Sequence, residues 1–222
     1  MPDSVNVHRF YTIITGVIRE ALRYSGRSGV MVVGGGSEES LLERWLGDAH
    51  IPFQVAPSKV MDRMLPILKD LEDKDGRLPG TSTQPALVQR ASELAGQAVA
   101  SAQELLLLGT VNKTHLLLSF PETVQPVLPL GDIYASQVLE LSGGCTLPHA
   151  LRGISTEELS AVDSALRAYF EAGLQPEMAF GKLEPDRSRQ IREMLEESRK
   201  KWHPLPLIPK LCDATLGMDL DL

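Results

Sequence analysis

The chain has 222 residues, 43% hydrophobic and 23% charged, with a formal net charge of −7 at pH 7. That is the composition of an ordinary globular protein, long enough to bury a core. Its Lys and Arg are scattered rather than gathered in a stripe, which excludes a nucleic-acid surface, and no apolar run approaches the roughly 18 residues a membrane span needs.

Cys145 and Cys212 are the two cysteines, and they lack the paired spacing of a disulfide framework or a zinc site. The N-terminus has no basic flank followed by an apolar stretch, so it does not read as a secretory signal. The expectation is a cytoplasmic protein of a single domain over residues 1–222, with an acidic tail at about residues 212–222.

In chain order, residues 5–25 read as a helix, with Phe10, Tyr11, Ile14, Val17, Ile18 and Leu22 at helical spacing. After a Ser-Gly cluster, Val30-Met31-Val32-Val33 is a continuous apolar run suited to a buried parallel strand. It ends in Gly34-Gly35-Gly36-Ser37. A helix follows over residues 38–46, with Leu41, Leu42, Trp45 and Leu46 inward.

A second strand is expected at residues 51–55 and a helix capped by Ser58 at residues 58–71. Residues 72–84 read as a loop and 85–102 as an alanine-rich helix. A third strand is expected at residues 105–108, helices at 113–120 and 132–141, and a short extended piece at Val127-Leu128 between them. Residues 156–172 carry Leu159, Val162, Leu166, Tyr169 and Phe170 on one face. Residues 184–201 carry Ile191, Met194 and Leu195. Strands alternating with helices point to an α/β sandwich around a mostly parallel sheet, where ligands bind beyond the carboxyl ends of the strands.

Two such strand ends carry candidate chemistry. At the first, the turn Gly34-Gly35-Gly36-Ser37-Glu38-Glu39-Ser40 lets backbone N–H groups and a helix N-terminus approach an anion. The alternative is a tight turn whose acids complement the helix dipole. At the second, Gly109-Thr110-Val111-Asn112-Lys113-Thr114-His115 offers a hydroxyl, an amide and a cation. Thr110 or Asn112 serves equally well as a helix N-cap. Asp132 reads as a cap for the helix that follows it.

The segments LLGTVNKTHLLLSF and VLPLGDIYASQVLELSG together resemble the NAD synthetase family, whose pattern is a strand, G-T-x-N-K-x-E and a helix, then P-[IL]-G-D-[LI]-Y-x-x-Q-V-x-E-L. Pro129, Gly131, Asp132, Tyr134, Gln137, Val138, Glu140 and Leu141 fall on the fixed positions of the second block. Residues 13–46 look like the family's opening helix, strand and pyrophosphate loop. Residues 161–173 look like the helix that ends its substrate lid.

The resemblance implies a three-layer sandwich of the adenine-nucleotide alpha-hydrolase type. It also implies an ATP- and magnesium-dependent amidation of deamido-NAD by ammonia through an adenylate, and a homodimer. The ATP and pyrophosphate ligands it implies are Gly34, Gly35, Gly36, Ser37, Ser40, Thr110, Asn112 and Lys113, with Glu38 and His115 at the metal positions.

The sequence departs from the family pattern where the chemistry is carried. The family loop S-G-G-x-D-S aligns on residues 34–39, so Gly34 and Glu39 replace its two serines and Glu38 its aspartate. His115 stands at an acidic magnesium position, although magnesium prefers oxygen. The lid segment, residues 142–158, is short, with Arg152 as its one Lys or Arg. The alternative to a weakened synthetase is therefore a catalytically inactive homologue that binds nucleotide or serves as a dimeric interaction protein.

Overall fold

A computed structural model describes residues 6–56, 84–120, 126–201 and Ile208, and only the backbone at 84–92. The expected helix at 58–71, most of the loop at 72–84 and the acidic tail lie outside the described residues. The first helix, α1 (Val7–Ser25), starts where the Asn6 side chain accepts from the Arg9 N–H and ends at Gly26 in the left-handed conformation. The strands β1 (Val30–Val33), β2 (Phe53–Val55) and β3 (Leu106–Gly109) form a parallel sheet in the order β2-β1-β3. Val30 pairs with Phe53 on one side and with Leu106 on the other. A single parallel bridge from Leu108 to Val127 extends the sheet past β3.

The central strand explains the layering. All four β1 residues are buried, and successive side chains face opposite ways. Val30 and Val32 enter a core with Ile14 and Ile18 of α1 and with Leu41, Leu42, Trp45 and Leu46 of α2 (Gly36–Asp48). Met31 and Val33 face α3 (Gln84–Ala102) through Ala100. Helices thus cover both faces of the sheet, which gives the α/β sandwich that the alternation of elements implied and the three layers that the resemblance implied.

Beyond the sheet, α4 (Lys113–Leu118), α6 (Thr156–Phe170), α7 (Pro176–Phe180) and α8 (Pro185–Arg199) enclose another apolar core, which includes Leu116, Leu117, Val162, Leu166, Phe180 and Ile191. The helix expected from residue 132 begins three residues later, as α5 (Ala135–Ser142). Residues 128–133 form tight turns instead, with N–H groups of Gly131 and Ile133 donating to Leu128 and Leu130. Asp132 does not cap α5, because its carboxylate faces Lys113. No described helix is long and apolar enough to cross a membrane.

Candidate functional site

The parallel register sets the carboxyl ends of β1 and β3 side by side, since Val33 pairs with Gly109. The two turns picked out in the sequence therefore meet. Gly34 lies against Thr110 so closely that a Cβ on Gly34 would sit 1.8 Å from Thr110 Oγ1. Thr110 is 8% exposed, and its hydroxyl forms no hydrogen bond among the described residues. Gly35 and Gly36 are exposed, and Gly36 takes a φ of 72°, which only glycine adopts cheaply. Ser37 is half-buried, and Ser40 sits one turn further on, its hydroxyl donating to Gly36 O at 3.4 Å.

Glu38, in the first turn of α2, is 0% exposed. Its Oε1 accepts from Asn112 Nδ2 at 3.1 Å and from the Thr146 N–H at 2.5 Å, while its Oε2 accepts from Thr146 Oγ1 at 2.9 Å. Asn112 is the hub. Its Oδ1 caps α4 by accepting from the His115 N–H, and its Nδ2 reaches both Glu38 and Thr146 O. A buried carboxylate is tolerated when donors surround it, and here three do.

Lys113 is 1% exposed, and its Nζ lies 2.8 Å from Asp132 Oδ1 and 2.9 Å from Glu171 Oε1. The Tyr134 hydroxyl donates to the same Glu171 oxygen, and the ammonium stands 4.9 Å from the Tyr134 ring centre. Arg167 covers the Tyr134 ring at 5.1 Å. Next to this cluster, Asp163 takes the Thr114 hydroxyl at 2.6 Å and the Ser136 N–H at 2.7 Å. Thr114 Oγ1 in turn accepts from the Ala135 N–H. With Gln137 Oε1 accepting from the Tyr134 N–H, the start of α5 is satisfied by side chains. Burial raises the Asp163 carboxyl above its ordinary range, partly offset by these donors and by Arg167.

Burial, and then the nearby Arg152 charge, push the His115 imidazole down to about 4. It is neutral at pH 7. A group held below its unfolded value contributes stability above that value and loses it as pH falls towards the folded one. Compared with a His115→Gln variant, the protein should therefore lose stability between pH 6.5 and about 4. The full loss is about 3 kcal/mol, measured by urea unfolding at each pH. A pH-independent difference between the two proteins would show that His115 titrates normally.

The structure thus brings Gly34, Gly35, Gly36, Ser37, Glu38, Thr110 and Asn112 to one place and holds Lys113 in a separate ion cluster. Thr146, Asp163 and Glu171 join the site without belonging to either turn motif in the sequence. Asp163 had a signal, since it stands among Leu159, Val162 and Leu166 on the buried stripe of α6. Thr146 had none, lying 108 residues from Glu38.

No protein-family model matches the chain, and no curated protein sequence matches it. Solved structures do match. The chain is similar to the NH3-dependent NAD synthetase of Campylobacter jejuni in complex with the nitrate ion, with a TM-score of 0.58 and 14% identity over 87% of this chain and 95% of that one. It is also similar to the NAD+ synthetase of Burkholderia pseudomallei, with a TM-score of 0.48 and 16% identity over 85% of this chain and 90% of that one. A third is the glutamine-dependent NAD+ synthetase of Acinetobacter baumannii in complex with ADP, with a TM-score of 0.45 and 16% identity. There the match covers 94% of this chain but 48% of that one. The first of these matches gives this chain an NAD synthetase-like fold.

Proposed function

We propose that this chain is an NAD synthetase-like protein that binds ATP at the ends of β1 and β3 and does not carry out the magnesium-dependent amidation of deamido-NAD by ammonia. One observation carries the reading. Both oxygens of Glu38 are engaged by Asn112 and Thr146.

Magnesium demands about six oxygens in a near-octahedral shell. N–H and O–H donors take three of the roughly four acceptor sites on the Glu38 oxygens and leave one, on Oε2, and the His115 nitrogens are poor partners for so hard an ion. These residues do not fit magnesium. Lys113 is likewise balanced by two carboxylates and leaves little charge for a developing phosphate. Each lost electrostatic contact of this kind costs roughly 2.7–4 kcal/mol of barrier.

What supports nucleotide binding is the turn itself. Gly34, Gly35, Gly36 and Ser37 present backbone at the N-terminus of a long helix. The buried Thr110 hydroxyl stands beside Gly34, and the Ser40 hydroxyl lies on the exposed face. Asn112 and Lys113 contribute indirectly, by fixing Glu38 and α4. A single domain over 1–222, a homodimer and a cytoplasmic setting go with the reading, and native mass measurement checks the dimer.

Thermal-shift titration tests the binding. ATP is expected to raise Tm to the same extent with magnesium as with a chelator, by the free energy of binding to the native state, about 2.7 kcal/mol at 100 times Kd. A shift that appears only with magnesium would contradict the reading and favour a working amidoligase.

A further inference from the structure

We propose that residues 143–148 form a strap, latched onto Glu38 by Thr146, that covers the Ser37 and Glu38 side of the first turn of α2 against phosphate-bearing ligands. The inference rests on the nucleotide-binding reading above.

The strap has two fixed ends and a middle held by the polar contacts of Thr146 and by Cys145, which packs against the core of β1, α1 and α2. It leaves α5 at Gly143, which has a φ of 76°, and the Ser142 hydroxyl shares its one proton between Gly144 O at 2.7 Å and Val138 O at 2.8 Å. At the far end Leu147 packs against the core built around α4 and α6, and Pro148 begins the 3-10 turn His149–Leu151.

Between these ends the chain lies on the turn after β1. Gly144 is pressed against Ser37, so that a Cβ there would come within 2.2 Å of Ser37 Oγ. Thr146 contributes its N–H and its hydroxyl to the two oxygens of Glu38, and its carbonyl accepts from Asn112 at 2.9 Å. The empty Cβ position of Gly36 is 3.8 Å from Thr146 Oγ1 and 3.9 Å from Glu38 Oε2. A phosphate on the first-turn N–H groups would meet the strap and, behind it, a negative charge.

The latch joins residues 108 positions apart through hydrogen bonds, and Thr146 itself is exposed. Such a contact opens locally without unfolding the cores. Opening it frees the Ser37 side and separates Glu38 from two of its donors.

Cys145, inside the strap, reports on its state. It is half-buried, and burial, Glu38 and Asp163 together push its thiol up to about 11, so alkylation of the closed form is slow. Replacing Cys212 by serine leaves Cys145 as the one thiol.

In that background, iodoacetamide labelling is measured for the parent, Thr146→Val and Gly144→Ala, together with thermal-shift titrations of inorganic pyrophosphate and ATP. Thr146→Val removes one hydrogen bond to a charged group and keeps the side-chain shape. It should label at least about tenfold faster. Gly144→Ala displaces the Ser37 hydroxyl and leaves a tight 3.1 Å contact with Ser37 Cβ, which loosens the strap there and should act in the same direction, and both variants should bind pyrophosphate more tightly than the parent. Unchanged labelling in both variants would overturn the latch and leave the nucleotide reading standing. Faster labelling with unaltered pyrophosphate affinity would overturn the gating alone. Faster labelling with no shift from pyrophosphate or ATP in any variant would overturn the gate and the nucleotide reading together.

Discussion

Replacing Lys113 with alanine is expected to lower the free energy of unfolding by about 3–5 kcal/mol. The side chain is 1% exposed and pairs with Asp132, whose side chain is 0% exposed, and with Glu171. Without the ammonium, the buried Asp132 carboxylate loses its pair with Lys113 and faces Glu171, which keeps its longer pair with Arg167 at 3.7 Å. The Tyr134 hydroxyl, shared with Glu171, does not replace a cation. The loss should appear as a lower urea midpoint at unchanged slope. Arg189→Ala breaks an exposed pair with Asp186 and serves as the control, with little change expected. If Lys113 instead served phosphate alone, alanine would leave the midpoint in place and weaken ATP binding.

Asp163→Ala should be nearly as damaging, at about 2–4 kcal/mol, because it strands the Ser136 N–H and removes the acceptor for Thr114. Asp163→Asn should cost less, about 1–2 kcal/mol. The amide oxygen still accepts from the Ser136 N–H and burial already disfavours the charged carboxylate, but the amide nitrogen donates to Thr114 Oγ1 where the carboxylate accepted from it, so the buried Thr114 hydroxyl loses its acceptor. Comparable losses in the two variants would mean that the negative charge, within reach of the Arg167 cation, is what the site requires.

Most of the fold was legible because local patterns and tertiary packing agree. The run from Val30 to Val33 reads as a doubly buried strand and is one, with helices on both faces. Leu41, Leu42, Trp45 and Leu46 face inward as their spacing implies. The start of α5 was misplaced because Asp132 looks like a cap. Long-range charge pairing with Lys113 outweighs that local preference, and Gln137, Thr114 and Asp163 satisfy the first-turn N–H groups instead. The short helix α7 leaves no periodic mark in the sequence, having only five residues to display one.

The candidate site divides the same way. The meeting of Gly34 with Thr110 follows from two glycine-bearing turns at the ends of parallel strands. That Glu38 meets Thr146, and Lys113 meets Glu171 from 58 positions away, could not be read from spacing. Those contacts form only when the second core folds against the sheet. They decide whether a carboxylate and an ammonium act on a ligand or on the protein itself.

The most direct test of that division is product analysis with ATP, magnesium, deamido-NAD and ammonium, run beside an active ammonia-dependent NAD synthetase. Glu38 and Lys113 are engaged internally, so this chain should release neither pyrophosphate nor NAD above the blank while the reference enzyme turns over. Pyrophosphate and NAD formed in equal amounts, and lost on Glu38→Ala, would contradict the account and restore Glu38 to metal and phosphate chemistry.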